Sequence, residues 1–376
     1  MLAGPLAAVT LADLGADVVK VERPGGGDDT RAWGPPFAKD GTATYFDAAN
    51  RNKRGLALDL ADPDDAAAAR ELARRADILI ENFRPGAAAK YGLDPGATLA
   101  ANPGLVHCSI TGFGTATEEA RRLPGYDFVV QAAGGLMSVT GEADGPPLKA
   151  GVALVDVLTA KDATTGILAA LRHRDRTGQG QHVEVNLLSS LLGSLVNQLS
   201  GRLATGRDPV PMGNRHPSIA PYETLACRDG QPLAVAVGND RQFRAFVGVL
   251  GAPELADDER FARNQDRVRN RDELVKELEA LLAADTPRGW SERLAAASVP
   301  GGPVNTLSEA VKLAERLGLD PVVPVGEGRV PQVRGPLRLS VTPVAEPVAP
   351  PRLDEHGALL RAWLSGPAHS PLPPLV

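Results

Sequence analysis

Short runs of branched aliphatic residues recur through the first 190 positions, separated by longer stretches with helical spacing. Residues 17–22 (DVVKVE), 55–60, 76–80 and 105–110 are brief and rich in Val, Ile and Leu. Strands of that kind alternating with helices predict a mainly parallel sheet with crossover helices. The clearest helix starts at Asp62-Pro63-Asp64-Asp65: an Asp at the cap, Pro in the first turn, acids beside the positive end, then an Ala-rich body. A longer helix is expected from about 157 to 174, stopping at Thr177-Gly178-Gln179-Gly180, with Arg172, His173 and Arg174 suiting its negative end. Residues 182–186 read as a further strand, and 187 to about 203 as a buried helix.

The texture changes near 205. Gly206, Pro209, Pro211, Gly213, Pro217 and Pro221 mark an irregular linker over 205–221. From 222 to 311 the pattern is a strand pair around Asp229-Gly230, then mainly helices. Residues 272–284 are amphipathic, with Leu274, Val275, Leu278, Leu281 and Leu282 on one face. Gly301, Gly302 and Pro303 introduce a final helix whose apolar face would hold Leu307, Ala310, Val311 and Ala314. The last 60 residues are rich in Pro and Val without a clear period, so that 312–376 reads as a linker and C-terminal segment with an extended stretch laid over a partner surface. The resulting division is a large domain over 1–204, a linker, a smaller domain over 222–311 and a C-terminal segment.

At 376 residues the chain exceeds what one core usually organises. The net charge of −6 offers no global attraction for nucleic acid or an acidic membrane, while leaving room for a local basic site. Only Cys108 and Cys227 are present, so neither a disulfide framework nor a zinc site is indicated. No uninterrupted apolar run of about 18 residues exists to span a bilayer. The start shows no basic segment before an apolar one. The expectation is a soluble cytoplasmic protein with no bound metal.

Gly25-Gly26-Gly27 lacks GxGxxG spacing and leads into Asp28 and Asp29, the wrong charge for a phosphate cradle. There is no GxxxxGK[ST], HExxH or GxSxG, and the six histidines are scattered. Polar residues instead cluster at strand ends: Glu22-Arg23-Pro24, Asn50-Arg51-Asn52-Lys53-Arg54, Glu81-Asn82-Phe83-Arg84-Pro85-Gly86 and Thr111-Gly112-Phe113-Gly114. Ligands of an open parallel sheet bind outside the carboxyl ends of its strands, so these loops should meet at one crevice, and their cations suit phosphates. The run Lys149-Ala150-Gly151-Val152-Ala153-Leu154-Val155-Asp156 delivers a carboxylate to a helix start. There it could serve as a shielded nucleophile or simply as a helix cap.

The chain resembles the family III CoA-transferases, a group that includes formyl-CoA transferase, carnitine CoA-transferase and, as a side branch, alpha-methylacyl-CoA racemase. The residues that carry the resemblance start with Ala3-Gly4-Pro5 and 11–24 (LADLGADVVKVERP), then Asn52-Lys53-Arg54, 81–86 (ENFRPG) and 151–156 (GVALVD). Arg176-Thr177-Gly178-Gln179-Gly180-Gln181, Gly213-Asn214, Gly238-Asn239-Asp240, Pro303-Val304-Asn305 and Glu355-His356 follow in order. The resemblance implies an α/β fold with a Rossmann-like large domain completed by the C-terminal segment, a smaller α+β domain, and two chains interlocked as a homodimer. It implies coenzyme A and acyl-CoA as substrates rather than resident cofactors, with a carboxylic acid as the second substrate.

Carried onto this chain, Asp156 matches the family's nucleophile and Arg23 the arginine beside the adenine. Leu58, Asp59, Leu60 and Ala61 fall on a CoA-contacting stretch, as do Asn82, Phe83 and Arg84. Ala3 borders the thioester, and Lys90 stands where a basic residue meets the phosphates. The racemase branch has Gly-His-Asp where this chain has Gly125-Tyr126-Asp127. A tyrosine keeps its proton at neutral pH and makes a poor base, which favours the transferase over an epimerase. Asp127 could still assist near the thioester or simply anchor its helix, Tyr126 could also assist, and Asn239 is a candidate oxyanion donor or a plain structural turn. An inactive CoA-binding subunit is the reading from a different class. The glycine-rich loop of formyl-CoA transferase has no counterpart, which disfavours oxalate as acceptor. The family starts one strand earlier than Met1, so the expectation is a start placed too late, with Met1 at an internal family valine, or a damaged copy.

Overall fold

A computed structural model describes residues 2–368 and 370–375; Met1 lies outside them. The chain forms two compact units. One comprises the segments through Leu136, Lys149–Gly206 and everything from Gly318; the other comprises Met137–Leu148 and Arg207–Leu317.

The large unit carries two parallel sheets. Strand β1 (Val18–Glu22) pairs with β2 (Lys53–Ala57), Val18 opposite Lys53. Strands β3 (Ile78–Glu81), β4 (Val106–Thr111) and β5 (Gln181–Asn186) form the second, in that spatial order, with Cys108 between Ile80 and Val183. The helix Pro63–Arg75 links β2 to β3, and Leu154–Thr177 lies in the crossover that parallel pairing of β4 with β5 demands. Asp62 caps the first, accepting the N–H groups of Asp64 and Asp65. Gly178 ends the second at φ 76°, a left-handed turn that glycine adopts without strain. On one face of β4, Val106, Cys108 and Ile110 pack with Ala7 and Leu11 of the helix Ala3–Asp13 and with Val155, Ala163 and Ile167 of Leu154–Thr177. Each aliphatic side chain so buried contributes about 1.5–3 kcal/mol. The small alanines let the two helices lie close.

Strand β2 starts earlier than its aliphatic run because Lys53 and Arg54 are buried within it. Lys53 Nζ donates to the carbonyls of Pro5 (2.8 Å) and Ala49 (2.6 Å) and to Asn50 Oδ1 (2.9 Å), using all three ammonium protons. Arg51 and Asn52 both donate to the Asp13 carboxylate. The cluster expected to face a ligand crevice is therefore an internal brace.

The outer edge of β2 is covered by the C-terminal segment. His356 N–H donates to Gly55 O at 3.0 Å. In return Gly55 N–H donates to His356 Nδ1 at 3.1 Å, and Ala57 N–H to Asp354 Oδ1 at 2.7 Å. The helix Gly357–Ser365, absent from the sequence expectation, then seats Leu360 against Leu56 and Leu58. The expected single helix over 187–203 is instead two, Leu187–Ser194 and Val196–Thr205, broken where Val196 takes φ 35°. The second buries none of its residues, correcting the expectation of a buried helix: Leu203 finds no covering neighbour among the described residues.

In the smaller unit, β6 (Tyr222–Ala226) and β7 (Pro232–Ala236) form the expected antiparallel pair. Gly301–Pro303, read as leading into a helix, form a third strand, β8, on β7. Helix Arg271–Leu282 turns Leu274, Leu278 and Leu282 into a core with Phe243, Phe246 and Trp290. Helix Leu307–Arg316 begins with a Thr306/Glu309 capping box, yet it buries no residue. Among the described residues, no helix is long and apolar enough to cross a membrane.

Candidate active site

Asp156 lies in the first turn of Leu154–Thr177, whose N-cap Ala153 has no side chain to offer. The cap comes from elsewhere. Asp127, at the start of the helix Asp127–Ala133, turns Oδ1 to accept the backbone N–H groups of Val155 (2.7 Å) and Asp156 (3.1 Å). Its Oδ2 accepts from Gln131 Nε2 at 2.6 Å, while Gln131 Oε1 accepts the Ala150 N–H at 2.9 Å. Asp156 is thus not the cap of its helix, and its carboxylate is left to face the cleft.

Burial pushes the Asp156 carboxyl up to about 6, and the neighbouring Asp127 charge adds to the rise. Tyr45, on the short helix Thr44–Asp47, is raised too, first by burial and then by the Asp156 and Asp127 charges. Trp33 meets the Tyr45 ring edge-on at 5.3 Å. A cleft of about 960 Å³ opens here, lined by Asp156, Asp127, Tyr45, Trp33 and the polypeptide from Gly151 to Ala153. That volume is ample for a drug-sized ligand. Two backbones meet beside it: a Cβ on Gly125 would sit 2.3 Å from Gly112 Cα, so only glycine lets the loop before Tyr126 rest on the end of β4.

Among the residues singled out in the sequence, Ala3, Asn82, Phe83, Arg84, Tyr126, Asp127 and Asp156 all line this cleft. Tyr126 caps the helix Asp127–Ala133 by its backbone and is half exposed. The others lie elsewhere. Arg23 is exposed and pairs with Asp29. Leu58 is in the core, and Asp59 accepts the Ala61 N–H in the turn beyond Leu60. Lys90 is exposed on the turn Ala88–Tyr91. Asn239 caps the helix Asp240–Val249 of the smaller unit, its side chain accepting from Gln242 N–H at 2.9 Å. Of the four strand-end clusters, residues 82–85 and 111–114 line the cleft, whereas 22–24 and 50–54 do not. Trp33, Tyr45 and Gln131 were not found from sequence, and Lys149 entered there only as the start of the run to Asp156. Only Gln131 carried a signal, standing one helical turn after Asp127.

The arrangement can do nucleophilic acyl chemistry: a carboxylate made more basic by its surroundings, at the wall of a cleft edged with glycine backbone and with the cations Arg84 and Lys149. Comparison with known proteins points the same way. The model of CoA-transferase family III matches residues 1–357. Succinate--glutarate CoA-transferase of Agrobacterium fabrum is 45% identical, over 97% of this chain and 92% of its own. Acetyl-CoA:oxalate CoA-transferase of Acetobacter aceti is 38% identical, over 98% and 93%. The crystal structure of a CAIB/BAIF family protein from Brucella suis superposes with a TM-score of 0.86 at 44% identity, covering 97% of this chain and 96% of that one.

Proposed function

The chain belongs to CoA-transferase family III, and we propose that it passes coenzyme A from a donor acyl-CoA to a dicarboxylic acid through a covalent intermediate on Asp156. As a member of that family it is an enzyme whose substrates are a CoA thioester and a carboxylate. The observation that carries the finer reading is the Asp156 carboxyl, raised to about 6 at the wall of the cleft.

In the proposed sequence an Asp156 oxygen attacks the donor's thioester carbon, the C–S bond breaks, and CoA leaves as thiolate while a mixed anhydride forms. The thiolate then attacks the aspartyl carbonyl, releasing the donor as its free carboxylate and leaving an aspartyl-CoA thioester. An acceptor carboxylate attacks that carbonyl and expels the thiolate again. Attack of the thiolate on the acceptor's acyl carbon makes the new thioester and frees Asp156. Each species is comparably activated, so the thioester energy is kept provided water is excluded.

A dicarboxylic acceptor fits the Agrobacterium relative, named for succinate and glutarate. Oxalate, disfavoured on the missing glycine-rich loop, returns to consideration because a relative matching at 38% is named for it. Arg84 and Lys149 at the cleft have no carboxylate partner among the described residues and supply charge for CoA phosphates or a distal carboxylate. A homodimer fits the uncovered helices Val196–Thr205 and Leu307–Arg316. The test is trapping with hydroxylamine or borohydride during turnover of succinyl-CoA with glutarate or oxalate. Mass spectrometry should find the label on the peptide bearing Asp156. Turnover without label there, or full activity of Asp156→Ala, would overturn the proposal.

A further inference from the structure

Gln131 is fully buried, one helical turn after Asp127, and does not line the cleft. An amide side chain has one acceptor oxygen and two donor protons. Here the oxygen accepts the Ala150 N–H at 2.9 Å, and the nitrogen donates to Asp127 Oδ2 at 2.6 Å and reaches Val152 O at 3.4 Å. The opposite flip would set the amide oxygen against the Asp127 carboxylate, so the neighbours fix the orientation. Asp127 spends its other oxygen on Val155 and Asp156. Two side chains on one helix face therefore hold four backbone groups of the segment 150–156.

We propose that Gln131 is a positioning residue for Asp156: its amide locks the Asp127 carboxylate and the segment 150–152 in one arrangement, and so sets where the nucleophile's helix begins. The chain of contacts is direct. Gln131 orients Asp127, Asp127 takes up the first N–H groups of the helix, and Asp156 is left in its first turn without competing for them. A nucleophile displaced by about 1 Å loses on the order of 100-fold in rate, so a brace outside the cleft can govern turnover without touching substrate. The titratable groups facing Asp127 are Asp156 from the following helix and Tyr45 from the helix Thr44–Asp47.

Two variants test the inference in the full-length enzyme. Gln131→Met keeps the shape and removes the hydrogen bonds. With Asp127 released, kcat should fall about tenfold or more, as expected when a charge-assisted hydrogen bond is lost, while KM for acyl-CoA stays within about twofold. The acid limb of the pH profile should move, because the Asp127 carboxylate, then held only by the Val155 and Asp156 N–H groups, changes its distance from Asp156 and with it the effect of its charge there. Gln131→Glu still accepts from Ala150 but sets a second carboxylate at hydrogen-bond distance from the first. Such a pair holds one proton between its members. Its loss as pH rises should add a basic limb that the parent enzyme lacks.

A purely structural role would lower the thermal midpoint and the yield of folded enzyme with both limbs unmoved. That result, or parent-like profiles in both variants, would overturn the inference. If Gln131→Met does not fold, the basic limb of Gln131→Glu decides alone. The inference rests on Asp156 as the nucleophile. Full activity of Asp156→Ala removes that reading itself, whereas an inactive Asp156→Ala beside unmoved Gln131 limbs removes only the positioning role.

Discussion

The Asp127 carboxylate accepts the backbone N–H of Asp156 at 3.1 Å, so one acid caps the helix whose first turn carries the other. Helix-start N–H groups ordinarily stabilise a nearby carboxylate. Here Asp127 has claimed two of them. Asp156 receives instead the effect of burial and of its neighbour's charge, both of which make it more basic.

Activity should follow the ionised form of Asp156. With that carboxyl titrating at about 6, kcat/KM should fall about tenfold per pH unit below the limb and level off above it. A pH profile with succinyl-CoA measures this, and a profile flat down to pH 4.5 would contradict it.

Stability should move the other way. Asp156 is raised from 3.8 to about 6, so between those values the folded state binds more protons than the unfolded state. Stability therefore declines as pH rises through that window and remains lower above it. Asp156→Asn should raise the thermal midpoint at pH 8, by roughly 1–3 kcal/mol in free energy, and give no gain at pH 3, below both values. Calorimetry at the two pH values checks the sign.

The parallel sheet was legible because βαβ segments announce themselves twice, in aliphatic runs and in helix caps such as Asp62. The place of Asp156 at a helix start was legible in its apolar approach, whereas its match to a nucleophile came only from the family resemblance. What escaped depended on contacts distant in sequence. The cations of 50–54 resemble ligand-binding loop residues until Asp13 and the carbonyls of Pro5 and Ala49 are seen around them. Gly301–Pro303 form a strand only because β7 lies beside them, since three residues carry no period of their own. Tyr45 and Trp33 reach the cleft through folding that local pattern does not encode.

Gly125→Ala should damage the site without touching its chemistry. The added methyl would meet the Gly112 backbone at 2.3 Å, so the loop bearing Tyr126 and Asp127 must move. Strain of that kind typically costs about 1–3 kcal/mol. A lower denaturation midpoint together with a fall in kcat is expected, and an unchanged kcat would show that the loop tolerates the shift.

Arg84→Ala and Lys149→Ala should raise KM by about three- to tenfold each, with kcat nearly unchanged, because both are exposed cations at the cleft whose attraction is screened by water. Added salt should narrow the gap to the parent enzyme. Comparing KM for the CoA thioester with KM for the acceptor acid assigns each cation to phosphate or to carboxylate.

The clasp of Asp354 and His356 on Gly55 and Ala57 also dictates an order of events at the ribosome. The smaller unit has all its residues once Leu317 has emerged, and domains generally fold as units during synthesis. The larger one must wait, its second strand already made but bare along one margin for some 300 residues of further synthesis. Nascent chains stalled between 317 and 354 should therefore leave that margin open to chaperones, protected only when the last turn of polypeptide arrives.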